Sequence, residues 1–246
     1  MKLVALIPAR WASSRFPGKP LAPILGKPMI EHVYRRAQAI TGVDDVLVAT
    51  DSPEVQRGVT EFGGQVVMTS PEHLSGSDRL AEAADILQLD DEDIVINVQG
   101  DQPAFDPENP SRLAQALKDE PSLEMATLAV PMTDSEEIHN PNHVKVVFSE
   151  ARHALYFSRA PIPWPRDGGE EAYYKHIGIY AYRVGFLRRF VTLPEGRLER
   201  IERLEQLRAL ENGARIKIIL VSGLSPEVDI PSDVKKAEDA LRRADN

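Results

Sequence analysis

The sequence contains no cysteine. That absence excludes disulfide scaffolds, zinc–thiolate centres, iron–sulfur clusters and thiol nucleophiles. No apolar run approaches the ~18 residues that a membrane-spanning helix needs, so no membrane partner is expected. Internal repeats, low-complexity tracts and a Gly/Ser linker are missing as well. Solenoids, disordered tails and loosely tethered domains are therefore not expected. The opening Met1–Pro8 meets Pro8 and Arg10 too early for a secretory leader and reads as a strand, which makes the cytoplasm the expected compartment. Acids are absent from the first 30 residues, which hold Lys2, Arg10, Arg15, Lys19 and Lys27. The whole chain carries a net charge of −9, which argues against general nucleic-acid binding. A purely basic start on an acidic chain marks a place that receives an anion.

What is present fits a globular enzyme. The 246 residues suffice for one large domain or two small ones, with a core that needs no staple. Short apolar runs alternate with amphipathic segments in the first half. Leu3–Ile7, Val46–Ala49, Gln65–Met68 and Ile94–Val98 read as strands; Met29–Ala39, Glu54–Phe62 and Asp78–Leu87 read as helices. This alternation predicts a parallel sheet covered on both faces, with ligand loops along the edge where the strands end. After about residue 122 the pattern changes. Met125–Val130, Val144–Phe148, Leu155–Phe157 and Ile177–Tyr182 are strand candidates with little helix between them, as in an antiparallel or mixed insertion. A long helix is expected over Leu198–Glu211, stopped by Asn212-Gly213. Its apolar residues Leu198, Ile201, Leu204, Leu207 and Leu210 lie three apart, a stripe that winds around the axis and asks for partners on more than one side. A strand Ile216–Val221 and a helix capped by Ser232 close the chain.

Four segments hold chemistry. Ile7–Pro20 follows the first strand with Pro8, Ala9, Arg10, Ser13, Ser14, Arg15, Gly18 and Lys19: small residues, hydroxyls, three cations and no acid. Backbone N–H groups in such a turn cradle phosphate oxygens while Arg and Lys neutralise them. It is neither a Walker A loop, because Pro20 follows Gly18-Lys19, nor a G-x-G-x-x-G fingerprint. Ser75-Gly76-Ser77-Asp78-Arg79 opens a helix and reads equally as an ordinary cap. Gln99-Gly100-Asp101 follows a strand, where a carboxylate suits Mg²⁺ shared with phosphates, or simply forms a turn. Asp229 lies in Glu227–Val234, a turn before a helix whose end Asp233 serves. His139 and His143 are separated by Pro141 and do not make a metal pair, and H-E-x-x-H and G-x-S-x-G are absent.

The first segment, I-P-A-R-x-x-S-S-R-x-P-G-K-P-L, resembles the N-terminal signature of the cytidylyltransferases that activate 3-deoxy-manno-octulosonate (Kdo). The resemblance runs through almost the whole chain. It includes Ser75–Arg79 (with Ser77 where the family has Thr), Gln99–Asp101, Val228–Asp233, Tyr156–Arg159, Tyr174–Tyr180 and Leu204–Arg208. It implies a GT-A-like α/β fold: a mostly parallel, Rossmann-like sheet flanked by helices, with a smaller mixed or antiparallel region for sugar binding and dimerisation. On this reading the chain is one nucleotidyltransferase domain. Residues 1–122 mainly bind nucleotide, 123–215 mainly bind sugar and dimerise, and 216–246 return to the main sheet. The implied reaction joins CTP and a Kdo-type sugar acid into a CMP-sugar with release of diphosphate, in lipopolysaccharide sugar supply.

The resemblance also implies roles. Arg10, Lys19, Asp101 and Asp229 would be catalytic, with Mg²⁺ on the two acids. Pro8, Ala9, Arg10, Ser13, Ser14, Arg15, Lys19, Ser75, Gly76, Ser77 and Gln99 would meet the nucleotide. Arg79, Gln99, Arg159, His176, Tyr180, Glu205 and Gln206 would meet the sugar acid, Arg159 by its planar fork. Phe16, Leu21–Pro23, Gln102, Met125–Leu128 and Gly196–Glu199 look closer to the branch that uses 8-amino-Kdo. Kdo is the first expectation and its 8-amino form the alternative. A sialic-acid-type cytidylyltransferase and a non-catalytic nucleotide-binding protein are more remote readings.

Overall fold

The first strand is buried on both faces, and the reason is its place in the sheet. Leu3, Ala5 and Ile7 point into one core, Val4 and Leu6 into another. The computed structural model describes residues 1–11, 16–73, 75–167, 173–223 and 225–244. Along the chain come β1 (Leu3–Pro8), a small hairpin of β2 (Pro23–Ile24) and β3 (Lys27–Pro28), α1 (Met29–Gln38), β4 (Asp45–Thr50), α2 (Pro53–Glu61), β5 (Gln65–Met68), α3 (Gly76–Ile86), β6 (Ile94–Asn97) and α4 (Glu108–Asp119). Then follow β7 (Met125–Met132), α5 (Ser135–His139), β8 (Lys145–Phe148), β9 (Ala154–Ser158), β10 (Tyr173–Arg183), α6 (Val184–Thr192), α7 (Arg197–Glu202), α8 (Gln206–Glu211), β11 (Ile216–Leu220) and α9 (Val234–Ala244).

The sheet runs in the order β11-β7-β10-β6-β1-β4-β5. Every strand on this path points the same way except β10, which is antiparallel to both β6 and β7. The short strands β8 and β9 extend from β10 as an antiparallel flap. One core, beneath α1, α2 and α4, gathers Val33, Val55 and Leu113; the other, beneath α3, α6 and α8, gathers Leu80, Phe190 and Leu207. The parallel order lines up the exits of β1, β4 and β6 on one edge, and the reversed β10 brings its N-terminal half to that same edge.

The strand readings hold throughout, with ends shifted by a few residues. Three helices escaped the periodicity reading, α4, α5 and α6. The expected long helix over 198–211 is instead two short helices, α7 and α8, broken at Arg203, whose φ is 53°. The break explains the three-residue spacing. Ile201 is 67% exposed, whereas Leu204 and Leu207 are buried on one side, so the stripe does not wind. The break is held from outside: the Glu202 carboxylate accepts from Ser158 Oγ (2.7 Å) and from the Arg159 backbone N–H (2.9 Å). The expected cap at Ser232 is also corrected. Pro231–Asp233 forms a 3₁₀ turn, and the Asp233 carboxylate accepts from the backbone N–H groups of Asp229 and Ile230, both at 3.1 Å.

A non-glycine residue at positive φ is strained, and the strain at Arg203 is local. Arg203→Gly should stabilise the fold by about 0.5–1 kcal/mol. The readout is a thermal melt rising by roughly 2 °C. A drop instead would show that the Arg203 side chain, and not the backbone turn, fixes the break.

Candidate active site at the carboxyl edge of the sheet

The loop after β1 is pinned before it opens. Ala9 N–H donates to Ala49 O (2.9 Å), carrying the β1–β4 pairing one residue beyond the strand. Gly18 N–H donates to Trp11 O (3.3 Å), closing the loop on itself. Gly18 sits at φ 70°, and a Cβ there would meet the Trp11 indole at 3.0 Å, so both the turn and the close approach require glycine. Lys19 then starts a 3₁₀ turn. Arg10 keeps a buried Nη2 with no hydrogen-bond partner among the described residues. A buried guanidinium nitrogen left unpaired is costly, and an arriving anion would satisfy it. Ser13, Ser14 and Arg15 lie outside the described residues.

The loop after β6 lies against this one. A Cβ on Gly100 would stand 3.1 Å from the Pro8 carbonyl, so the close approach again needs glycine. Val228 N–H donates to Asp101 O (2.9 Å) and docks the 227–229 segment on the β6 exit. The outcome is a clasp. Lys19 Nζ lies 2.8 Å from Asp101 Oδ2 and 3.4 Å from Asp229 Oδ1, across 82 and 210 residues of sequence. Glu227 flanks it and accepts from Gln102 Nε2 at 3.3 Å.

Two hard carboxylates converging on one cationic point suit Mg²⁺. Among the described residues no cluster of three or more His, Cys, Asp or Glu could cage a metal unaided.

The other wall begins at α3. Ser75 and Asp78 form a capping box, and Gly76 stands close to the Pro8 ring. Ser77 Oγ donates to Glu205 Oε2 at 2.7 Å. Burial pushes the Glu205 carboxyl up, and hydrogen bonds from Ser77 and Ser75 pull it partly back. Gln206, the next residue, is buried with an unpaired Nε2. Gln99 Nε2 donates to Gly178 O (2.7 Å), tying the β6 exit to β10. On β10, Tyr180 lies beside His176 (ring centroids 5.3 Å) and is held well above its usual range by burial, with Tyr182 and Glu205 nearby.

His176 is fixed by a buried threonine. Thr127 Oγ1 lies 2.9 Å and 3.1 Å from the carbonyls of Ile179 and Ile177, inside the bulge where β10 changes register on β7. Its single proton goes to those carbonyls, so His176 Nε2, at 3.1 Å, must donate to Oγ1. That leaves Nδ1 as the acceptor. Burial, with the Lys175 charge beside it, pushes the His176 pKa down to about 3. Two cavities open along this edge. One of about 960 Å³ is lined by Asp229, Glu227, Lys175 and the 140–143 turn. Another of about 600 Å³ is lined by Ser75, Asp78, Glu195, Glu199, Arg203, Glu205 and Arg208.

Pro8, Ala9, Arg10, Lys19, Ser75, Gly76, Gln99, Asp101 and Asp229 are thus brought to one edge, with His176, Tyr180, Glu205 and Gln206 beside them. Three side chains sit differently from expectation. Arg79 has no exposed surface: it bonds Thr69 Oγ1 and pairs with Asp51 at 3.4 Å, behind the loop that carries Arg10. Arg159 does not offer an open fork. Its Nε, Nη1 and Nη2 donate to the carbonyls of Glu202 (2.7 Å), Pro141 (2.9 Å) and Arg203 (3.3 Å). Ser77 is buried, with its hydroxyl spent on Glu205. Sequence reasoning missed Lys145, a fully buried lysine whose Nζ donates to the carbonyls of Asn140, His143 and Arg159 at 2.6–3.0 Å. It also missed the roles of Thr127 and Tyr182. None of these has a local pattern that announces burial.

The depressed pKa of His176 has a sign that can be measured. The unfolded chain takes up the proton near pH 6.5, the folded one only near 3. The stabilisation is therefore complete above 6.5 and is lost as pH falls toward 3. Between pH 7 and 5 the wild-type chain should lose roughly 1–2 kcal/mol more than His176→Gln, read from urea unfolding. Equal losses would mean that the ring accepts the proton while folded.

Known proteins resemble this chain along nearly its whole length. The family model described as Cytidylyltransferase matches residues 4–218. An 8-amino-3,8-dideoxy-manno-octulosonate cytidylyltransferase of Shewanella frigidimarina is 52% identical over 239 residues, covering 97% of this chain and 98% of that one. A 3-deoxy-manno-octulosonate cytidylyltransferase of Syntrophus aciditrophicus is 52% identical over 241 residues, covering 98% and 97%. The solved structure of a CMP:2-keto-3-deoxy-manno-octonic acid synthetase complexed with CTP superposes with a TM-score of 0.94 at 45% identity, covering 99% of both chains. The chain with the Lys19–Asp101–Asp229 clasp belongs to the cytidylyltransferase family.

Proposed function

We propose that this chain transfers a cytidylyl group from CTP to a Kdo-type sugar acid, giving CMP-Kdo and diphosphate. The anomeric oxygen of the sugar bonds to the α-phosphorus, the α–β phosphoanhydride breaks, and diphosphate leaves. The observation that carries this reading is the clasp, where two acids distant in sequence meet beside a cationic loop. Backbone groups at Pro8, Ala9, Ser75 and Gly76 bind the nucleotide. Arg10, with its unpaired Nη2, and Lys19 neutralise the triphosphate. Asp101 and Asp229 would hold Mg²⁺, which when bound supplies positive charge to the phosphate oxygens. Gln99, the neutral His176 acceptor, the Tyr180 hydroxyl, Glu205 and Gln206 orient the sugar hydroxyls, so the work of the protein is alignment and charge.

An 8-amino-Kdo substrate is the second reading, and one observation favours it. The 600 Å³ cavity beside Glu205 has four acids; Glu199 is paired with Arg208 (2.6 Å) and Glu195 with Arg203 (3.9 Å), which leaves Asp78 and Glu205 in excess. Such a wall accepts an ammonium better than a hydroxyl. The exposed Leu155, Ile201 and Trp164, all in the second half of the chain, support a homodimer. None of the described helices is long and apolar enough to cross a membrane. A reaction that consumes CTP belongs in the cytoplasm, where CTP is made.

The test is diphosphate release with CTP and Mg²⁺, comparing Kdo, 8-amino-Kdo and a sialic acid. Release with either octulosonate supports the reaction and chooses the sugar; release with the sialic acid alone overturns the sugar assignment. Asp101→Asn should lose at least 100-fold in Mg²⁺-dependent turnover, about 2.7 kcal/mol of barrier, with an unchanged melt. Near-normal turnover in that variant would remove Asp101 from the metal site.

A further inference from the structure

Ser77 joins Glu205 by a hydrogen bond of known direction, with Tyr182 and Asn97 packed behind it. The Glu205 carboxylate can only accept, so the Ser77 proton points at Oε2, 2.7 Å away. The buried Tyr182 hydroxyl lies beside Ser77 and Asn97. Asn97, Tyr182 and Ser77 are 4%, 2% and 2% exposed, so water does not compete among them. The two behind Ser77 are sheet residues: Asn97 ends β6 and Tyr182 lies on β10. Tyr182 is further locked by ring stacking on Tyr180 at 5.6 Å. At the outer end, Glu205 precedes α8 and lines the 600 Å³ cavity; its Oε1 has no hydrogen-bond partner among the described residues. That oxygen faces Arg208 Nη2 at 3.9 Å, beyond hydrogen-bond distance, and so keeps its acceptor capacity for a ligand donor.

We propose that Ser77 is a positioning residue for Glu205. Its hydroxyl, backed by Tyr182 and Asn97, fastens the Glu205 carboxylate to the first turn of α3, the turn whose Gly76 stands against Pro8. The sugar-facing wall thereby takes its geometry from the nucleotide-facing one. Ser77 serves selection of the sugar acid through Glu205 and does not read the nucleotide with its side chain. The reference to the sugar rests on the function proposed above; the positioning of Glu205 does not.

Two measurements on the full-length protein test this. The first is the titration of the Glu205 carboxyl by ¹³C NMR. Ser77→Ala removes a donor to the ionised form, so the midpoint should rise by about one pH unit, Tyr182→Phe should raise it less, and Ser77→Thr should restore it. An unmoved midpoint in Ser77→Ala overturns the proposal whether or not any sugar is turned over. The second is steady-state kinetics. Ser77→Ala should raise the sugar KM about tenfold with the CTP KM within twofold, and Ser77→Thr should return both to wild type. A rise in the CTP KM alone, or no change in either, overturns the proposal. Inactivity of the wild type on every sugar would overturn the proposed function and leave the NMR result to decide the positioning.

Discussion

The site is organised by one ammonium group. Lys19 Nζ draws together Asp101, at the end of a sheet strand, and Asp229, in a segment that no strand supports. Without it two carboxylates would face each other across the loop after β1, and like charges at that range repel. The arrangement depends on close approaches on every side: Gly18 under Trp11, Gly100 against Pro8, Val228 on the Asp101 carbonyl and Asp233 holding the Asp229 backbone. The sheet supplies the position of Asp101. Neutralisation by Lys19 and the Asp233 turn supply the position of Asp229.

The second half of the chain is organised by buried polar groups. Lys145 and Arg159 donate between them to six carbonyls, and Glu202 accepts from Ser158 and Arg159. These bonds stitch the 140–143 turn, the β8–β9 flap and the break at Arg203 into one wall. Thr127 fills the bulge in β10 and fixes the imidazole of His176. Lys145, Thr127 and Ser158 are buried with their partners present, so removing one partner there costs more than the bond itself is worth.

The parts of this structure that sequence discloses are those governed by short-range pattern. β1, β4 and β6 are apolar runs because a doubly covered strand has no wet face, and the Ser75–Asp78 box announces α3. The meeting of Asp101 with Asp229 follows only from resemblance to a family, since nothing local links residues so far apart. The left-handed turn at Arg203 was illegible because three-residue apolar spacing suits a continuous winding helix as well as two helices joined by a break. Arg79, Arg159 and Lys145 were misjudged or missed for a common reason. A cation in a sequence reads as a group that faces water or a ligand, and only tertiary packing turns it inward onto carbonyls or a buried acid.

The reach of the Lys19 clasp bears on how the molecule is made. Its two acids lie 82 and 210 residues beyond the lysine, so the chain emerging from a ribosome has the basic loop and the first acid long before the second. Nearly all the strands are available to pair before Asp229 exists. A nascent chain that stops short of that residue can therefore acquire much of the sheet and still lack the second acid of the clasp. The clasp is thus closed late, by a residue made after every described strand of the sheet.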